Sequence, residues 1–395
     1  MRTPIRPIPI ACAACLVVLS ACGKGHDERV AATMAPAAAR PGAKPSLEGH
    51  LDLLALPGYA ERGQADPRYD WISGFEQGTG CRVQVESVAN PAELLARLSA
   101  PGIDVAIVPG DVVMTLVASG DAGAIETTRV PGLARVDARL ADGAWARLDG
   151  VRHAVPFAWR PQGLLYRTDV FRKAPPTGAE LYAPRALPDG KPNAGRLQAV
   201  DSPMAIADAA LFLAATRPEL GIDDPHALDE AQYAEALALV RTQAGLLHRY
   251  WSDPAVQREE FATAGIALAT GWPPLARAEA DPAIAWVAPA GDIAVQVDAS
   301  VVAARTTHPN CAYAWLEWSL EPEVQAAAAA WLGAVPVNPQ ACTQALLGEG
   351  ACRAQGADLL ARARFRRPAQ ATCGHKGGCV PYSRWTGDFH AVRGE

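Results

Sequence analysis

Between residues 51 and 108, apolar runs alternate with helical periods, and this alternation restricts the fold more than any other feature of the chain. Residues 51–56 are an apolar run closed by Pro57-Gly58-Tyr59, which reads as a buried strand and its turn. Asp66-Pro67 has the form of an N-cap and first helical residue, with Tyr69, Ile72 and Phe75 on one face and Gly78-Thr79-Gly80 as the stop. Val83 and Val85 alternate within a strand over 82–87. Asn90-Pro91-Ala92-Glu93 then resembles a capping box that opens a helix through Leu94, Leu95 and Leu98. Residues 103–108 read as a further buried strand, closed by Pro109-Gly110-Asp111. Strands separated by helices in this way predict an α/β fold on a mainly parallel sheet covered on both faces.

A second constraint lies at residues 153–171, HAVPFAWRPQGLLYRTDVF. Ala154, Val155 and Phe157 read as one strand and Leu164, Leu165 and Tyr166 as another, joined through Trp159-Arg160-Pro161. Thr168-Asp169 is a candidate helix entry. The two strands fit either one hairpin or a path from a first lobe into a second. The second option places a cleft beside Trp159; the plainer one makes Trp159 a core residue. Beyond this stretch, 173–196 reads as loop, 205–215 and 230–244 as helices, and 265–270, 284–288, 293–297 and 300–304 as strands. Asn310 is placed to cap a helix bearing Trp315, Leu316 and Trp318, and 326–331 continues as helix beyond Glu321-Pro322. The tail from Cys342 reads as loop-rich and ends in Val380-Pro381-Tyr382-Ser383-Arg384-Trp385.

With 395 residues the chain can build two domains with their own cores, and its net charge of −6 without any Lys/Arg run argues against nucleic acid as a partner. Arg2 and Arg6 precede an apolar run over 8–19 that is too short for an ordinary membrane-spanning helix. The run ends Leu19-Ser20-Ala21-Cys22, similar to the lipobox of bacterial lipoproteins. Residues 1–21 are therefore expected to be a lipoprotein signal peptide, Cys22 the lipidated residue, and 22–47 a flexible tether. The body would lie in the periplasm or cell envelope, anchored to a membrane. Nine cysteines less Cys12, Cys15 and Cys22 leave six: Cys81, Cys311, Cys342, Cys352, Cys373 and Cys379. An even remainder in an oxidising compartment predicts disulfides. Cys342 with Cys352 and Cys373 with Cys379 close short loops; Cys81 and Cys311 remain as a long-range pair that spacing alone does not establish. The spacing around His375, C-x5-C, is not that of a usual zinc knuckle, and no metal is expected.

No G-x-S-x-G elbow or cysteine equivalent is present, no phosphate-binding glycine loop, and no H-E-x-x-H pattern. His153, His248 and His308 read as structural or surface residues. No catalytic residue and no cofactor is expected. Ten tryptophans against four methionines is an excess of large rings, and Trp159, Trp272 and Trp385 lie near Pro or Gly. Rings on loops at strand ends supply the flat apolar walls of a small-molecule site.

Several runs carry a family resemblance in order: Leu56-Pro57-Gly58-Tyr59, the helix reaching Thr79-Gly80, Val155-Pro156-Phe157-Ala158-Trp159, Leu320-Glu321-Pro322-Glu323-Val324-Gln325, and Pro336-Val337-Asn338-Pro339. From about residue 51 onward the chain resembles the solute-binding proteins of spermidine/putrescine ABC transporters. A narrower subgroup is similar through Tyr59-Ala60-Glu61-Arg62-Gly63-Gln64, Pro188-Asp189-Gly190-Lys191, Ala207-Asp208-Ala209-Ala210-Leu211-Phe212 and His248-Arg249-Tyr250-Trp251. That polyamine-binding subgroup also bears the name polyhydroxybutyrate synthase.

The resemblance implies a two-lobed periplasmic-binding-protein fold of type II, with hinge strands and an interlobe cleft. Lobe 1 would comprise 48–156 and 297–338, lobe 2 157–296 and 339–395, with crossings at residues 157–159 and near 296–298. It implies a monomer that gives a small, amine-containing, polyamine-like ligand to an ABC transporter permease. Such ligands are held by aromatic rings and carboxylates. Carried over residue by residue, the ligand-binding set is Tyr59, Asp111, Trp159, Arg160, Asp201, Trp272 and Asp298. The chain departs from the family at Leu56 and Gln296 (usually tryptophan), Gly58 and Ala205 (acids), Asp111 (tyrosine) and Arg160 (glycine), and Trp272 lies near, not on, the family tryptophan. A fixed cation at 160 would repel a polyamine and could pair with a ligand carboxylate. Two alternatives follow: a polyester synthase needing a free thiol, and a binding-protein fold reused as a sensor.

Overall fold

The apolar runs of the first hundred folded residues become β1 (His50–Ala55), β2 (Arg82–Ser87) and β3 (Val105–Pro109), which pair in parallel with β1 in the middle. The structure, a computed structural model, describes residues 46–89, 91–273, 281–369, 373 and 377–394. The stretch expected to be a signal peptide, Cys22, nearly all of the expected tether, Asn90 and His375 lie outside the described residues.

Helix α1 (Ile72–Thr79) starts later than Asp66-Pro67 suggests. The Asp66 carboxylate is engaged by Arg68 two residues on, and Asp70 instead accepts from the first turn, at Ser73 N–H, 2.9 Å. Gly80 ends α1 at φ 75°, as the glycine stop implies. Helix α2 (Pro91–Leu98) follows β2. Pro109-Gly110-Asp111 both closes β3 and opens a helix, α3 (Gly110–Ala118), which the strand-and-turn reading omits. A Cβ at Gly110 would approach the Val297 carbonyl oxygen to 2.8 Å, so only glycine lets α3 begin so close to the sheet.

After α4 (Ala138–Ala141) and a short hairpin, β4 (Arg147–Leu148) with β5 (Val151–Arg152), comes β6 (Val155–Pro161), buried at all seven positions. Then β7 (Gly163–Arg167) begins a second sheet; Thr168-Asp169 forms a turn, with Phe171 N–H donating to the Arg167 carbonyl at 2.8 Å. β8 (Leu197–Val200), α5 (Ala205–Thr216), α6 (Glu230–Ala244), β9 (Leu247–Trp251), α7 (Pro254–Thr263), β10 (Leu268–Gly271) and β11 (Ile284–Val287) continue it. Asp229 and Gln232 cap α6 reciprocally. The two strands read at 293–297 and 300–304 are one, β12 (Ile293–Val302), with a register shift between Asp298 and Ala299. Next come α8 (Pro309–Trp318), whose first residue is Pro309 and whose N-cap is His308 rather than Asn310, and α9 (Pro322–Leu332). The chain ends with β13 (Val335–Pro336), α10 (Gly348–Ala354), β14 (Ala363–Phe365) and α11 (Tyr382–Arg393).

The first sheet has the order β13-β6-β12-β3-β1-β2, with β14 also on β12; the second has the order β11-β7-β10-β8-β9. Each has its own apolar core. The first collects Leu51, Phe75, Ile107, Trp145, Trp159 and Trp315, and the second Leu197, Ile206, Tyr233, Trp385 and Phe389. Three segments cross between the sheets: Gln162, residues 288–292, and residues 366–369.

These crossings differ from the expected boundaries. β6 stays in the first sheet to Pro161 because β12 and β13 bond it on both sides, so the chain leaves at Gln162 rather than at 157–159. The return falls at Ile293, not near 296–298. Residues 339–365 also remain with the first sheet: Ala341 and Cys352 pack on α9, and β14 pairs with β12. The six cysteines pair as Cys81–Cys311, Cys342–Cys352 and Cys373–Cys379. Among the described residues no helix is long and apolar enough to cross a membrane.

Candidate ligand-binding site

β6 and β12 run antiparallel, with Gln296 opposite Arg160 and Asp298 opposite Ala158, so these four residues share one face. On that face Arg160 forms a buried ion pair with Asp298, donating from Nη1. The same Nη1 donates to the Tyr59 hydroxyl at 3.0 Å, and that hydroxyl donates to Asp298 Oδ2 at 2.7 Å. Trp272, just after β10 of the second sheet, completes the group: Arg160 Cζ lies 5.5 Å from its ring and 5.8 Å from the Tyr59 ring. A guanidinium between two rings gains cation–π attraction from both. Trp251 meets Trp272 edge-on at 5.3 Å, and the Trp272 indole N–H is buried with no partner among the described residues. Burial pushes the Tyr59 hydroxyl pKa well up, with Arg160 opposing and Asp298 reinforcing. Burial disfavours the Arg160 charge, but Tyr59 and Asp298 outweigh it, and its pKa lies above the ordinary arginine value.

Asp111, at the start of α3, is half-buried beside this face. Its Oδ1 accepts from Gln296 Nε2 across 3.4 Å, a weak hydrogen bond. Burial raises its pKa, Arg366 opposes that, and Asp298 adds to it. Tyr382 at the start of α11 lies in the same field: burial raises its pKa, as does Asp111, while Arg366 lowers it.

Tyr59, Asp111, Arg160, Trp272 and Asp298 are thus brought together from the expected set. Trp159 is not. It points to the opposite face of β6 from Arg160 and is 1% exposed within the first core, which is the plainer of its two readings. Asp201 is also elsewhere: its carboxylate pairs with Arg393 of the last helix at 3.2 Å. Trp385, the other ring noted near proline, is fully buried in the second core.

A second polar group occupies the crossings. Arg366, 4% exposed, donates from Nη2 to both oxygens of Asp208 on α5, at 2.7 and 2.6 Å. Gln162 Nε2 donates to the same carboxylate at 2.7 Å, while Gln162 Oε1 is buried with no partner among the described residues. Beside them lies a cavity of about 70 Å³ lined by Gln162, Leu164, Tyr182, Asp208, Phe212 and Ala294, large enough to admit water. Sequence reasoning passes over Arg366 and Gln162. The only signal for Arg366 is the Arg366-Arg367-Pro368 run inside a tail that otherwise reads as loop.

Asp52, Asp104 and His308 also approach one another. Asp104 is already served by the Asp52 N–H at 2.8 Å, the Thr306 hydroxyl at 2.7 Å and His308 Nδ1 at 2.9 Å, so the protein's own donors fill that carboxylate. All six described cysteines are in disulfides, leaving no thiol among the described residues for the polyester-synthase alternative.

The family model for bacterial extracellular solute-binding proteins matches residues 70–346. A putrescine/agmatine-binding protein of Pseudomonas aeruginosa is 25% identical over 295 residues, covering 67% of this chain and 75% of that protein. Among solved structures, the spermidine/putrescine ABC transporter substrate-binding protein PotD of Streptococcus pneumoniae superposes with a TM-score of 0.66 at 14% identity, over 87% of this chain and 97% of that one. The TpPotD lipoprotein of Treponema pallidum gives a TM-score of 0.65 at 19% identity, over 88% and 100%. These similarities confirm the two-lobed fold.

Proposed function

The chain belongs to the bacterial extracellular solute-binding proteins, and from that premise we propose that it is the solute-binding subunit of an ABC importer, taking a small amine-bearing ligand between its two sheets. One observation carries this reading: Tyr59, Arg160 and Asp298 of the first sheet meet Trp272 of the second around a single polar face with Asp111 at its edge. Carboxylates and a ring from the first lobe facing a ring from the second give a ligand something to hold on both sides, which ligand-driven closure requires. The putrescine/agmatine-binding relative supports an amine in the ligand. Lipidation at Cys22, with residues 22–47 as a tether, would keep the protein near a permease in the same envelope.

The test is a thermal-shift screen of putrescine, agmatine, spermidine, amino acids and small organic acids. A ligand at a hundred times its Kd stabilises the folded form by about 2.7 kcal/mol. An amine-bearing compound is expected to raise the melting temperature. If none does at millimolar concentration, this reading fails.

A further inference from the structure

Arg160 bonds Tyr59 and Asp298 through Nη1 alone; its Nε–H and Nη2–H groups have no partner among the described residues. The residue is 7% exposed, and the little exposure it keeps includes these groups, which leaves them open to an incoming acceptor. Asp111 is the converse. It has one long hydrogen bond and no cation within ion-pair distance among the described residues. Asp298, Asp208 and Asp201 are already paired, with Arg160, Arg366 and Arg393. One side chain, Gln296, links the two unsatisfied groups: it lies opposite Arg160 in the strand register and donates to Asp111. They are therefore within reach of a single short molecule.

Resting on the solute-binding reading above, we infer that the ligand is a zwitterion, an aliphatic amino carboxylate rather than a diamine or longer polyamine. Its ammonium goes to Asp111 and its carboxylate to the Nε–Nη2 edge of Arg160, the fork geometry that guanidinium offers carboxylates. Tyr59 and Trp272 wall the carboxylate end. A diamine would bring a second ammonium against the Arg160 charge, with Asp298 already neutralised.

Isothermal titration of the purified folded chain with a matched straight-chain set tests this. The set is 4-aminobutanoate, 1,4-diaminobutane, butylamine and butyrate, with the three- to six-carbon homologues of each. Wild type is expected to bind at least one amino carboxylate tenfold or more tighter than the diamine of equal length. Asp111→Asn and Arg160→Gln should each weaken that ligand tenfold or more, and Arg160→Gln should shift the ratio toward the diamine. If the diamines bind wild type as tightly as every amino carboxylate, the zwitterion inference falls while the solute-binding reading stands. If no member binds, the zwitterion inference falls, and the thermal-shift screen with agmatine and spermidine decides the solute-binding reading. Should Arg160→Gln fail to fold because Asp298 is left buried without its counter-charge, the wild-type ranking and Asp111→Asn decide the matter.

Discussion

At the scale of single residues, Asp111 carries opposite consequences for stability and for binding. Burial raises its pKa, so the folded chain takes up this proton more readily than the unfolded chain does. As pH climbs from the ordinary carboxylate value through the raised one, the folded state binds more protons, and stability falls with pH across that window. Above it the full destabilising contribution persists in the ligand-free protein. Asp111→Asn should therefore melt higher than wild type at pH 7 without ligand, with the difference shrinking toward zero below the ordinary aspartate range. Melting curves from pH 3 to 8 check this; a variant that melts lower at pH 7 refutes it. The neighbouring residues show what the sequence makes readable at this scale. Tyr59 and Asp298, which the fold brings together, are readable through the family pattern, and Arg160 through its departure from that pattern. Trp159 was ambiguous because alternation along a strand separates two faces without saying which is core. β6 is buried at every position, so burial on either face looked alike.

At the scale of elements, legibility follows the strength of the local period. The β1 to β3 runs, α6 and α9 are long or strongly patterned, and they lie where the sequence suggests. The misses are elements whose signal is interrupted. In α11, Trp385, Phe389 and Val392 recur at helical spacing, but Gly387 lies among them and the disulfide-rich segment before them reads as loop. The structure makes this helix integral to the second core. Trp385 is fully buried, its ring lies 5.7 Å from that of Tyr233 on α6, and its indole N–H donates to the Val380 carbonyl at 3.1 Å. Removing a fully buried tryptophan costs about 3–5 kcal/mol, from lost burial and the cavity left behind. Trp385→Ala should lower the urea midpoint accordingly and open residues 382–393 to proteolysis. An unchanged midpoint would mean that α11 is only loosely docked.

At the scale of the whole molecule, the alternation of strand and helix was enough for an α/β fold, because parallel strands need helices to return the chain. The path of the tail was not readable. β14 is three residues long and pairs Ala363 with Ile293, seventy positions back, and nothing local announces such a contact. That pairing matters for motion, since it makes residues 366–369 the third crossing beside Gln162 and 288–292. Three short crossings leave two separately cored sheets able to change angle, and the Arg366–Asp208 pair ties the third crossing to α5. A ligand that touches the Tyr59–Arg160–Asp298 face and Trp272 together has more contacts when the sheets are near, and its differential affinity favours that arrangement. The radius of gyration of a compact chain of this length is about 21 Å. Saturating the protein with the ligand found by thermal shift should reduce it in small-angle scattering. Trp272→Ala should bind more weakly and contract less at saturation, because the second sheet then loses its ring at the site. Superimposable scattering curves with and without bound ligand would show that the sheets keep one angle, and that the cleft takes its ligand without closing.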